Sequence, residues 1–165
     1  MDALAKLSAA TYALAEAKTL DDVKRIIDIA EAARTYARAA KLGLEAANHA
    51  AEVKLRAERK AGELLQQLER APGARTDIQP TDRLSASSEY RQTLQDTGVE
   101  ERTAQRWQTV AQVPDEVFEE HAAEVKQEQR ELTSAGLLRL AGEIKQAAET
   151  IAPQWKTPAL DCASG

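Results

Sequence analysis

Two long stretches repeat alanine at helical spacing, and that repeat governs what the chain can become. Between residues 20 and 41 the apolar positions are Val23, Ile26, Ala30, Ala33, Ala37 and Ala40. Between residues 44 and 70 they are Ala46, Ala50, Val53, Ala57, Ala61, Leu64 and Leu68. Steps of three and four gather each set on one face of a helix. A face of alanine lets a partner helix approach closely while burying little volume. The two helices are therefore expected to pair, either as an antiparallel hairpin or as a coiled-coil dimer arm, with the hairpin preferred. Gly43 between them suits a helix C-cap, since glycine adopts the left-handed conformation without penalty; the alternative is a mild irregularity in one continuous helix.

The remaining sequence is as strongly helical. Residues 3–17 form an alanine-rich amphipathic helix with Leu4, Leu7, Tyr12 and Leu14 as its larger apolar groups. Thr19 offers an N-cap hydroxyl to the next helix, and Asp22 stands three residues on, as in a capping box. Alanine supplies about a fifth of the 165 residues, aromatics only 4%, and no run of β-branched residues alternates with period two. The expected fold class is all-α: a long N-terminal helical hairpin or coiled-coil arm plus a C-terminal helix-turn-helix bundle. Alanine cores bury little apolar area, which stabilises at roughly 25 cal/mol per Å², so a homodimer or higher homo-oligomer is expected.

Composition shifts divide the chain into residues 1–70 (an oligomerisation arm), 71–88 (a linker), 89–151 (a helix-turn-helix domain) and 152–165 (a tail). The linker is Pro/Gly/Ser/Asp-rich and cannot carry a helix through Pro72-Gly73. The tail contains two prolines and Trp155, a candidate short-motif anchor. No apolar run approaches the ~18 residues that span a bilayer, and the N-terminus lacks the basic-then-apolar pattern of a signal peptide. The single cysteine, Cys162, cannot form an internal disulfide, in keeping with a cytoplasmic location, bacterial or host-cell nucleoid. His49 and His121 fall in no metal-ligand spacing, and no Gly-rich phosphate loop is present. Neither catalysis, a cofactor nor a metal is expected.

The stretch from Arg91 to Gln112, RQTLQDTGVEERTAQRWQTVAQ, carries the functional expectation. A helix over residues 89–97, capped by Ser87 or Ser88, meets a turn at Gly98-Val99 and a second helix over residues 101–112. That is the outline of a helix-turn-helix, whose second helix enters the DNA major groove. Val99, Ala104 and Trp107 form the inner side, whereas Thr93 and Thr97 stand where apolar residues usually pack. Arg102, Thr103, Gln105, Arg106 and Gln108 are read as outward. Arginine pairs with guanine O6 and N7, and glutamine with adenine N6 and N7, so Arg102, Gln105 and Arg106 are the candidate base readers, with Gln108 a further DNA-binding position on the outward side. Arg91 and Thr103 are candidate phosphate contacts. Glu100 and Glu101 are assigned to the helix N-terminus, where the dipole favours acids.

Charge distribution complicates that expectation. Residues 115–131 hold seven acids against Lys126 and Arg130, and so carry the whole net charge of −5. The rest of the chain is neutral, without the basic footprint of a stand-alone DNA binder. Lys54, Arg56, Arg59 and Lys60 are a candidate auxiliary phosphate strip; alternatively they pair along their own helix with Glu58, Glu52 and Glu63. The acidic segment begins at Pro114, a residue suited to a first helical turn, and presents either a solvated face, a mimic of DNA charge or a docking surface for a basic protein partner. Thr133 or Ser134 caps a last helix with Leu137, Leu138, Leu140, Ile144 and Ala148 on its apolar side.

The run TGVEERTAQRWQTVAQVPDEVFEEH resembles the helix-turn-helix of partition-protein (ParB-type) DNA binders and of small phage and mobile-element proteins. In those a Gly-Val or Gly-Ile turn precedes an Arg-Trp helix, and a Pro-Asp/Glu helix start follows. AEVKLRAERKAGELL is similar to the helical arm of such phage proteins. The resemblance spans roughly residues 20–145 and implies a bacterial or phage protein that binds double-stranded DNA. The nucleotide-binding portion of full partition proteins has no counterpart here, so nucleotide-dependent clamping is not implied.

Overall fold

The computed structural model describes residues 3–68 and 88–151. Among the described residues there are seven helices and no strand, so the chain is all-α. They are α1 (Ala3–Glu16), α2 (Leu20–Ala39), α3 (Leu44–Gln67), α4 (Ser88–Thr97), α5 (Glu101–Val110), α6 (Asp115–Gln127) and α7 (Ser134–Ile151). The expectations for residues 71–87 and 152–165 lie outside the described residues. No helix of the described residues is long and apolar enough to cross a membrane.

The two alanine seams meet within one chain as an antiparallel hairpin. Val23, Ile26, Ala30, Ala33 and Ala37 of α2 are buried, as are Ala50, Val53, Ala57 and Ala61 of α3. Lys54 Nζ reaches Glu31 Oε2 across the pair at 2.7 Å. The C-cap assigned to Gly43 falls elsewhere. Lys41 takes the left-handed conformation (φ 52°), its N–H donates to Arg38 O at 3.1 Å, and the Leu42 N–H donates to Ala37 O at 2.9 Å. That is a Schellman closure built on a lysine, at about 1 kcal/mol of backbone cost. Gly43 (φ 96°) is instead the N-cap of α3. At the other end of α2, Thr19 Oγ1 accepts the Asp22 amide at 3.2 Å and donates to the Asp22 carboxylate at 2.6 Å.

Helix α3 is the axis of the molecule. Thirteen of its 24 residues are buried, too many for one stripe, so neighbours cover it nearly all round. One face joins α1 and α2 in a core that also takes in Leu94, Val99, Ala104 and Trp107. The other face, through Ala51 and Leu55, joins Val110, Val113, Phe118, Ala122, Val125, Leu132, Leu137 and Ala141 in a second core. Residues on both sides of 71–87 thus share one core, and α5 contributes to both. Tyr12, expected among the larger apolar groups of α1, points away from this core and is 79% exposed.

Short polar devices hold the later helices. Asn48 of α3 clamps the α6–α7 connection, its Nδ2 donating to Arg130 O and its Oδ1 accepting the Leu132 N–H, both at 2.9 Å. Helix α6 starts at Asp115 with Pro114 as its N-cap residue. Thr133 Oγ1 accepts the Gly136 N–H at 3.1 Å, which closes the start of α7.

Candidate nucleic-acid interface

Helices α4 and α5 are joined by residues 98–100. Gly98 (φ 65°) closes α4: its N–H donates to Gln95 O at 3.2 Å, and the Val99 N–H donates to Leu94 O at 3.0 Å. Val99 then drops into the core beside Leu94, Ala104 and Trp107. Thr93 and Thr97 spend their hydroxyls on the carbonyls of Glu89 and Thr93, at 2.8 and 2.7 Å. No hydroxyl is therefore left unsatisfied where apolar residues were expected. Glu100 is the N-cap residue of α5 but makes no side-chain cap hydrogen bond, so its contribution there is electrostatic only.

What braces α5 is α3 rather than α4. Gly62 of α3 faces the Trp107 carbonyl so closely that a Cβ on it would lie 2.0 Å from the oxygen. Only glycine permits that crossing distance. Beside it, Gln66 Nε2 donates to Gln108 O at 3.1 Å. With its inner side fixed, α5 turns Arg102, Gln105, Arg106 and Thr109 to solvent. Their spacing (i, i+3, i+4, i+7) makes them one face. Arg91 of α4 is also exposed.

Two candidates among the DNA-reading residues sit otherwise than expected. Gln108 is only 6% exposed and its Nε2 lies 3.4 Å from the Tyr90 hydroxyl, so it ties α5 to α4 and cannot reach a base. Position 108 shares a face with Ala104 and Trp107, a consequence of 3.6-residue periodicity that the sequence already contains. Thr103 is half-buried at the edge of a cleft against α7.

The auxiliary phosphate strip does not form. Each of its four cations holds a neighbouring element of the fold. Lys54 binds Glu31 of α2. Arg56 binds Glu52 and, at 2.8 Å, Glu119 of α6. Arg59 donates to Val113 O at 2.8 Å and to Asp115, while its guanidinium lies 4.8 Å from the centre of the Phe118 ring. Lys60 donates to Leu14 O at 2.6 Å, placing a cation on the free carbonyls at the end of α1, where the dipole favours it. The intrahelical reading holds for Arg56–Glu52, and for Lys54–Glu58 at 3.8 Å. Lys60 turns instead to α1.

The acidic segment is the counterpart of that strip. Asp115 and Glu119 meet Arg59 and Arg56, Glu131 meets Arg34 and Arg38 of α2, and Lys126 closes on Glu52. Glu116, Glu120 and Glu124 are exposed and find no ion-pair partner among the described residues. Four residues apart, they line one ridge of α6.

Two features escaped the sequence reading. Arg139, an exposed residue of α7, has no ion-pair partner among the described residues and neighbours Leu138, which lines the same cleft as Arg106. Glu58, buried in α3, accepts a hydrogen bond from Ser134 Oγ at 2.9 Å, and burial pushes its carboxyl above the ordinary range despite Lys54 nearby. Its burial gave no signal in the sequence, because Glu58 lies off the alanine seam, in line with Ala51 and Leu55 on the face that meets the second core. No family model, no curated protein and no solved structure matches this chain.

Proposed function

We propose that the protein binds double-stranded DNA by laying α5 in the major groove, without catalysing a reaction. The observation that carries this reading is where the uncommitted arginines lie; the unpaired lysines Lys6, Lys18, Lys41 and Lys145 are scattered over α1, the two turns that flank α2, and α7. The cations of α3 that make ion pairs or cap a helix are consumed inside the fold. Arg91, Arg102, Arg106 and Arg139 remain free of ion pairs among the described residues and belong to α4, α5 and α7. Arg102, Gln105 and Arg106 have the chemistry to read base edges, on a helix held rigid from behind. Arg91 and Arg139 would meet phosphate, a role that positions without specifying.

With no basic strip elsewhere among the described residues, one copy is a weak reader. A dimer placing two α5 helices in successive major grooves, about 34 Å apart, would supply the missing affinity. The bacterial or phage class suggested by the ParB-type resemblance fits this reading. Selection of bound fragments from a random duplex pool at two salt concentrations tests it. Enrichment of a palindrome, weakened as salt rises, supports a dimeric reader; an unenriched pool refutes it.

A second reading rests on the free ridge of Glu116, Glu120 and Glu124: a protein-interaction factor that docks a basic partner on α6. It is supported if a nuclease-resistant protein partner is lost on reversing these three charges while duplex DNA is not retained.

A further inference from the structure

A cleft of about 350 Å³ opens between α3, α5 and α7, alongside the exposed face of α5. That volume lies at the lower end of what small-molecule sites enclose. Its apolar wall is Trp107, Val110 and Leu138, and its polar lining includes Thr103, Arg106 and Glu58. The polar groups fall into two kinds. Glu58 is engaged by Ser134 and lies 3.8 Å from Lys54, so the acid in the wall is already answered. The side chains of Thr103 and Arg106 make no hydrogen bond or ion pair with any described residue.

A free guanidinium and a free hydroxyl beside an indole define a complementary ligand. Two parallel N–H donors of arginine match the two oxygens of a carboxylate, and an apolar body would cover Trp107, Val110 and Leu138. We infer that this cleft binds a small amphipathic monocarboxylate, its acid group on Arg106 and Thr103 and its apolar part against the α5–α7 wall. The inference extends the DNA-binding reading, because Arg106 serves both. A bound carboxylate would occupy the guanidinium that reads a base, so the ligand would release DNA.

The binding step is testable without DNA, which separates its failure from failure of the DNA reading. In a Trp155→Phe background the remaining indole, Trp107, reports the cleft. Phenylacetate, benzoate and hexanoate are titrated against phenylacetamide, benzamide and hexanamide up to about 10 mM. At least one carboxylate should change Trp107 emission saturably while its amide does not. Arg106→Gln, an exposed change that leaves the core intact, should weaken that carboxylate at least about tenfold, and Arg102→Gln should leave it unchanged. Thr103→Val should weaken it a few-fold. The inference is overturned if no carboxylate saturates, if the amides bind equally, or if Arg106→Gln binds as wild type does.

Discussion

Gly62 of α3 and Trp107 of α5 meet backbone to backbone, with the Trp107 carbonyl occupying the space that a β-carbon on residue 62 would need. This crossing sets the pose of the exposed α5 face, because α5 cannot roll or slide without losing it. A substitution at a residue remote from solvent therefore tests the placement of the candidate reader.

Gly62→Ala should destabilise the protein even though alanine is the better helix former. The propensity gain is about 1 kcal/mol. Against it, a Cβ 2.0 Å from a carbonyl oxygen and 2.8 Å from the Ala111 Cβ forces a shift of helix backbone, and overpacking of that kind costs about 1–3 kcal/mol. Urea unfolding followed by tryptophan emission should show a lower midpoint at unchanged slope. A midpoint equal to or above wild type would mean that the two helices do not cross at this distance.

Arg59→Ala should cost about 2–3 kcal/mol of stability, since it removes the bond to Val113 O and the contact with Phe118. It should leave the salt dependence of duplex binding unchanged. An altered salt slope with unaltered stability would restore Arg59 to a phosphate-contacting role.

Asn48→Ala should cost a similar amount, because the buried Leu132 N–H loses its acceptor. Native-state hydrogen exchange at Leu132 should accelerate more than exchange at the seam amides of α3. Uniform acceleration across both would contradict the clamp.

Glu58 and Glu52 should respond to pH with opposite sign. Burial raises the Glu58 carboxyl above the ordinary 4.5, and Lys54 and Ser134 offset this only in part. Burial also opposes ionisation of Glu52, but Lys126 and Arg56 outweigh it and hold that carboxyl below 4.5. A raised folded pKa weakens the fold as pH climbs from 4.5 through the folded value. A depressed one stabilises above 4.5, and the stabilisation is lost as pH falls through the folded value. Glu58→Gln should thus raise Tm at about pH 7, with the gain shrinking toward 4.5. Glu52→Gln should lower Tm at about pH 7, with the deficit shrinking below 4.5. Thermal melts of both variants across pH check this; shifts of the same sign would contradict it.

The alanine seams, the Gly98-Val99 turn and the inward Ala104 and Trp107 were legible in the sequence because each follows from spacing along one helix. What was not legible depended on partners distant in the chain. The strip from Lys54 to Lys60 looked free because Glu31, Glu119, Asp115 and the end of α1 lie far from it in sequence, and helical periodicity does not say which cation meets which acid. The turn at Lys41 was missed because local chemistry favours glycine, whereas the hairpin packing of α2 on α3 fixes where α2 must stop. Gln108 is a different case: its face was available from periodicity, and its residue type misled.

On the proposed function, the outward face of α5, and not the cations of α3, meets DNA. The most direct measurement is fluorescence anisotropy of a selected duplex in low salt, titrated with wild type and with Arg106→Ala. Arg106→Ala should weaken binding by about 1–3 kcal/mol, a 5- to 150-fold loss, without loss of fold. Equal affinity of the two proteins would contradict it.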